Sequence, residues 1–200
     1  MFFDKSNLLV TGHVLITDIT DPMEPQILVD QHNDIHPESM SYAIAMAMSA
    51  TVDITGKSTG AISEMRFGNG GTVVLSSGRV TFKKPRTTSF GGLYSETFRK
   101  QINPNVNSAV EKEYNNVVPV HIPGQVFSDT VCTCTLGLGE PVDQNVSSST
   151  DMEGKYVFDE LALYTNGDTG RALTHLIFTP VEKSANRVLQ IKYTIRFQLQ

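Results

Sequence analysis

Tryptophan is absent from the 200 residues, and cysteine occurs only twice. The remaining aromatics do not interleave with basic residues, so the stacking stripe of a single-strand nucleic-acid binder is missing. Lys and Arg number 16 against 21 Asp and Glu, which also removes the basic footprint of a general nucleic-acid partner. No run approaches the roughly 18 consecutive apolar residues of a membrane span. Met1-Phe2-Phe3-Asp4-Lys5 does not follow the charged-then-apolar layout of a secretory signal. Neither specific nucleic acid nor a membrane is therefore an expected partner. Cys132 and Cys134 share one face of a β-rich stretch, Val-Cys-Thr-Cys-Thr-Leu. A bridge between such near neighbours on a strand is strained, so both are expected as free, half-buried thiols of a reducing cytoplasm. A metal would need two further ligands.

What the chain does contain is a pattern of strands. From Leu189 to Gln200 apolar and polar residues alternate without error. A strand presents successive side chains to opposite faces, so this segment has one apolar and one wet face over roughly 40 Å. Val10 to Ile19 and Gln26 to Asp30 read as strands of an opening hairpin turning at Asp21-Pro22. Ile62 to Phe67 enters the turn Gly68-Asn69-Gly70-Gly71, whose glycines permit positive φ. Thr72 to Leu75 and Arg79 to Phe82 form a hairpin around Ser76-Ser77-Gly78. Val117 to Ile122 and Val131 to Leu138 are further strands. Tyr156 to Tyr164, Ala172 to Thr179 and the final strand read as a β-meander, with turns at Asn166-Gly167-Asp168 and Lys183-Ser184. One short helix is expected at about 37–50. Pro37 suits its first position, Glu38 its positive end, and Met40, Ala43, Ile44, Ala47 and Met48 form one apolar stripe. Residues 1–200 then make one mainly-β domain, an antiparallel β-sandwich with an N-terminal helix and a C-terminal β-meander. A polar excursion or arm of weak periodicity covers about 83–116.

Candidate chemistry is sparse. His32 and His36 stand four apart, a spacing that on a helix can present both to a metal. Pro37 puts the helix start after them, so both fall in the loop or cap, where Asn33 and Asp34 serve exposed N–H groups. No metal site is assigned. Gly56-Lys57-Ser58-Thr59 looks like the end of a phosphate loop, but the glycine required upstream is missing and the motif follows a helix. The amides of Gly68 to Gly71 could cradle an anion, although a tight turn is the commoner use. Asn145-Val146-Ser147 fits a glycosylation acceptor that has no secretory context. Asp159 and Glu160 are strand neighbours pointing to opposite faces, so they cannot act as a pair on one substrate. No Ser, His and acid stand in a nucleophile context, and no basic neighbour activates the thiols. No catalytic residue and no cofactor site is assigned, and the chain is not expected to be an enzyme.

The order of elements from Val157-Phe158-Asp159-Glu160-Leu161-Ala162-Leu163-Tyr164 onward is more specific. It continues through Leu173-Thr174-His175-Leu176-Ile177-Phe178-Thr179-Pro180 and Val181-Glu182-Lys183-Ser184 into the alternating terminal segment. This resembles a recurrent bacteriophage tail and fibre-attachment pattern. That pattern is a strand ending in acid-Ile/Leu-Gly-Leu-aromatic, a turn, a strand closing in Phe-x-Pro, a Lys-Ser/Thr turn and a last amphipathic strand. Upstream, Asn33 before the Ala-rich stretch Tyr42 to Met48 and the turn Gly68 to Gly70 keep the same order. Ala162 stands where the pattern has Gly, and the 83–116 excursion is a second departure. The resemblance implies a virion structural protein of the neck, tail, baseplate or fibre-attachment region, a homo-oligomer assembled in the bacterial host cytoplasm. Its implied partners are other copies of itself and other virion proteins, with residues 83–116 and 1–7 ordering against neighbouring subunits. The competing expectation is a carbohydrate- or receptor-binding, fibre-like adhesin module. It would need an exposed aromatic platform, for which Tyr94 with Phe98 or Phe90 is the candidate.

Overall fold

The alternation of the C-terminal segment sets the frame. Leu189, Ile191, Tyr193 and Ile195 are all buried, while Lys192 and Arg196 are exposed, along the strand Leu189–Leu199. The computed structural model describes residues 8–36, 40, 44, 47, 61–88, 91–102, 114–125, 127–141, 155–165 and 170–199. Among them the strands are β1 (Leu8–Asp18), β2 (Gln26–Ile35), β3 (Ile62–Gly68), β4 (Thr72–Val74) and β5 (Val80–Phe82). They continue as β6 (Glu96–Gln101), β7 (Asn116–His121), β8 (Phe127–Leu136), β9 (Lys155–Thr165), β10 (Thr174–Ser184) and β11 (Leu189–Leu199).

Nine of these form one antiparallel sheet in the order β6-β3-β9-β10-β2-β1-β11-β8-β7, and β4 and β5 pair as a separate hairpin. The mainly-β, antiparallel expectation therefore holds. The described strands make one continuous curled sheet, however, and not two separately hydrogen-bonded ones. Its two halves join through only two residue pairs between β10 and β2, Thr174 with Ile35 and His175 with Asp34. The halves then turn their apolar faces toward one core. It contains Met65 and Phe67 of β3, Leu161 and Leu163 of β9, Cys132 and Cys134 of β8, and Ile191 and Tyr193 of β11. Curling brings β6, at one end of the order, against β8 near the other: Lys100 Nζ donates to the Thr135 carbonyl at 2.8 Å.

Four expectations need correction. First, the C-terminal meander does not form. β9 and β10 are neighbours, but the β1–β2 hairpin separates β10 from β11, which pairs with β1 and β8. Its cause lies in β10, whose register with β9 shifts between Ile177 and Val181, and which continues past Pro180 to Ser184. The chain then crosses into the other half at 185–188. Second, the polar excursion contains a regular strand, β6, which pairs with β3. Third, β2 runs on to Ile35 and absorbs His32. Fourth, Gly68, Gly70 and Gly71 are not positive-φ residues. Positive φ falls at Gly78, in the β4–β5 turn, and at Gly124 and Gly139.

The expected helix lies mostly outside the described residues, and no helix is established. Met40, Ile44 and Ala47 have helical backbone; Met40 is buried in the core and Ile44 packs against it, whereas Ala47 is exposed. The turn at Asn166-Gly167-Asp168, the glycosylation-like Asn145-Val146-Ser147, Gly56 to Thr59 and residues 1–7 also lie outside them.

Cys132 and Cys134 are free, as expected, but fully buried. Burial pushes each thiol up to about 12, with the neighbouring Cys134 adding to the effect at Cys132. A disulfide-exchange reagent at pH 8 should therefore label neither thiol in the native protein and both after denaturation. Ile191→Ala should cost about 2–5 kcal/mol in a denaturant titration, while Lys192→Ala on the opposite face should stay within about 0.5 kcal/mol. Equal effects would refute the assignment of faces.

Candidate functional site

Two consecutive acids in the middle of an apolar strand cannot both face a core without partners. Asp159 and Glu160 of β9 are nonetheless buried, 3% and 0% exposed. Each side chain takes hydrogen-bond donors from the Gly70–Thr72 stretch. Asp159 accepts from the amides of Gly71 (2.9 Å) and Thr72 (2.8 Å) and from the Thr72 hydroxyl. Glu160 Oε1 accepts from the amides of Gly70 (3.1 Å) and Ser95 (2.8 Å). Glu160 Oε2 accepts from the Tyr94 amide (2.9 Å) and from His175 Nε2 (3.0 Å). The glycine-rich turn does cradle an anion through its amides, and that anion is the protein's own pair of carboxylates. Burial alone would raise the Glu160 carboxyl; the bonds from His175, Tyr94, Ser95 and Gly70 outweigh it and hold the group below its ordinary value.

His175, on β10, is also fully buried. Its Nδ1 accepts from the Arg86 amide at 2.9 Å, so the ring hydrogen sits on Nε2, facing Glu160. The segment that supplies Arg86, Tyr94 and Ser95 is folded onto itself. Arg86 Cζ lies 4.1 Å and Lys83 Nζ 4.4 Å from the centre of the Tyr94 ring, and the Tyr94 hydroxyl donates to the Lys84 carbonyl at 2.9 Å. Lys83 Nζ also donates to the Gly70 carbonyl at 2.6 Å. The glycines allow the close approach: a Cβ on Gly70 would lie 2.8 Å from the Ser95 amide nitrogen, and one on Gly68 would collide with the Ser95 carbonyl.

The donors in this arrangement are mostly backbone amides, so it holds the chain in place. Both nitrogens of His175 are occupied, neither it nor Glu160 reaches solvent, and no hydroxyl or thiol nucleophile is bonded to the imidazole among the described residues. A second cluster has the same character. Lys183 Nζ, buried on β10, donates to the carbonyls of Gly137 (2.9 Å), Glu140 (2.7 Å) and Ser184 (3.0 Å). Desolvation lowers its pKa against the opposing pull of Glu140. Lys100 bridges to Glu140 Oε2 at 2.5 Å. Lys100 and Glu140 line a cavity of about 370 Å³ with Asn115, Thr135 and Gly137.

The structure separates His32 from His36. His32 is an exposed strand residue beside His13, ring centroids 5.4 Å apart, and His13 Nε2 lies 2.6 Å from Asp30. His36 is fully buried beyond the end of β2, near the backbone of Arg86 and Thr88, yet neither ring nitrogen makes a well-formed hydrogen bond. Among the described residues no group of three His, Cys, Asp or Glu could hold a metal. Asp159 and Glu160 both bond to the Gly70–Thr72 turn, and the alternation argument, which set them on opposite faces, missed that both are buried. It also missed His175. The available signal was an acid pair flanked by Phe158 and Leu161.

Desolvation by burial holds the His36 pKa below its ordinary value. An unfolded chain takes up a proton there below about pH 6.5 that the folded chain resists, so stability falls as pH drops through that point. Glu160 adds a second loss at lower pH, because its stabilisation is full above an unfolded carboxyl value of about 4.3 and disappears below its folded one. Denaturant titrations between pH 7 and pH 5 should show this slope, and His36→Gln should flatten it; an unchanged slope would refute the assignment. Glu160→Gln places an amide donor among four donors, which should cost about 3 kcal/mol or more. Limited proteolysis should then cut within 83–95, a site protected in the parent protein. No protein-family model, curated protein or solved structure matches the chain.

Proposed function

We propose that the chain is a structural subunit of a bacteriophage particle, from the neck, tail or baseplate region. In this reading it assembles symmetrically with copies of itself, holds neighbouring virion proteins or fibres, and is not an enzyme. Its location is the virion, built in the host cytoplasm. The two halves of the curled sheet act as the layers of a sandwich, and residues 37–50 form the short helix that packs on it.

One observation carries the reading: the residues of the phage-like pattern are committed to architecture. Leu161, Ala162, Leu163 and Tyr164 are buried in β9, and Phe178 fills the core. Pro180 occupies the irregular stretch of β10, and Lys183 is held by three carbonyls. The acid–base clusters close on the chain itself. Such a molecule presents shape and surface, which is what a particle subunit contributes.

The adhesin reading loses the Tyr94–Phe98 form of its platform. Phe98 packs against Phe67 at 6.0 Å between ring centroids and joins the core, and the Tyr94 ring carries Lys83 and Arg86. Phe90 lies outside the described residues.

Light scattering over a concentration series tests the proposal. A single closed oligomer that grows in at the expense of monomer is the expected result. A monomer at every concentration that instead binds a glycan on an array would overturn it.

A further inference from the structure

The β4–β5 hairpin is not hydrogen-bonded into the nine-stranded sheet, although β4 lies beside β10, and it carries apolar side chains on both of its faces. Thr72 pairs with Phe82 and Val74 with Val80, so Val74 and Phe82 share one face; Val73, opposite Thr81, lies on the other. Val74 is 65% and Phe82 55% exposed, and Val73 and Leu75 are each 44% exposed. Three large apolar side chains on three-residue strands, with Leu75 just beyond β4, make a cluster of the kind that marks an interaction site. The tip is polar: Ser76, Ser77, Gly78 and Arg79. A lipid-inserting loop would lead with its apolar residues, whereas here they flank the stem. That placement suits a hairpin lying against protein.

Charge points to the occupant. From Thr72 to Arg86 the chain carries Arg79, Lys83, Lys84 and Arg86 and no Asp or Glu. The cations that form ion pairs among the described residues, such as Arg66, Lys100, Arg187 and Arg196, lie elsewhere. Setting these four aside leaves 12 Lys and Arg against 21 Asp and Glu in the rest of the chain. The hairpin segment is thus electrostatically complementary to the remainder of its own kind.

We infer that the β4–β5 hairpin is the contact by which one copy of this chain docks on a second copy. The inference rests on the reading of the protein as an assembling subunit. Asp159 fixes the base of the hairpin through the Gly71 and Thr72 amides, and Lys83 through the Gly70 carbonyl. The apolar stem is therefore presented and not folded back. The contact is part apolar and part ionic, and it is heterologous: a basic projection meets a different surface of the neighbouring copy, which forms a ring where the rotation closes.

The test is sedimentation of the full chain over a concentration series, for the parent and two variants. Val74→Glu with Phe82→Glu, and separately Arg79→Glu with Lys84→Glu, alter exposed side chains, and circular dichroism checks that each variant keeps its fold. Both should move the association midpoint at least about tenfold toward higher concentration, and about 1 M salt should weaken the parent similarly. Parent and variants that assemble identically would overturn the hairpin contact and leave the subunit reading standing. A parent that stays monomeric throughout would overturn both. Co-sedimentation of the parent with phosphatidylserine vesicles, lost in the variants, would assign the hairpin to a lipid surface and overturn docking on a second copy.

Discussion

A carboxylate cut off from water needs a donor for each lone pair, and Glu160 has four. They come from Gly70, Tyr94, Ser95 and His175, separated from it by 90, 66, 65 and 15 positions in the chain. Leaving such a charge unpaired costs several kcal/mol. The middle of β9 therefore cannot enter the core until the glycine turn, the 94–95 strand entry and β10 have all arrived. The dependence also runs the other way. Residues 83–88 and 91–95 have no regular secondary structure, and they are held by amide donors aimed at Glu160 and His175. A polar network of this kind specifies one arrangement because a half-formed version is worse than none.

The second constraint is the curl. A nine-stranded antiparallel sheet with one apolar face can stay in solution only if that face is covered. Here the sheet covers itself. Its halves are joined by two residue pairs, and β6 is fastened over β8 by Lys100. Lys183 contributes from the centre of the sheet, holding the turn from Gly137 to Glu140 by its carbonyls. Each lysine trades hydration for several oriented acceptors. Neither is left as a loose amine, and the polar groups that look most reactive in the sequence are those the fold most needs.

How much of this the sequence disclosed follows from the range of the forces involved. The faces of β1 and β11 are set by local alternation, and their placement follows from Leu189 to Ile195 directly. The β4–β5 hairpin is equally local: Gly78 with φ of 79° sits where Ser76-Ser77-Gly78 puts it. β6 was hidden because Glu96-Thr97-Phe98-Arg99-Lys100-Gln101 is a charged edge strand whose polar residues blunt its open side. The path of β10 was hidden because Pro180 read as a stop, while the chain tolerates it at a register shift. His175 and Glu160 were hidden in a different way. Nothing within five residues of either announces the other, and only the pairing of β9 with β10 brings them to 3.0 Å.

The same network explains how an apolar hairpin can remain on the surface of this fold. A two-stranded hairpin is marginal by itself, and a loosely tethered one would collapse its valines onto the nearest apolar surface. The base of this one is tied on both sides. Asp159 takes the amides that lead into β4, and Lys83, just past β5, reaches back to the Gly70 carbonyl. With both ends fixed, little conformational freedom is left to lose when the stem meets a partner, and the ordering cost that usually erodes association is already met in the free molecule. A contact of that size is weak when made once. In a closed assembly every subunit makes it, and weak contacts made in parallel hold what one cannot. Burying Asp159 beneath the hairpin and exposing Phe82 upon it are coupled, since the first fixes the base from which the second projects.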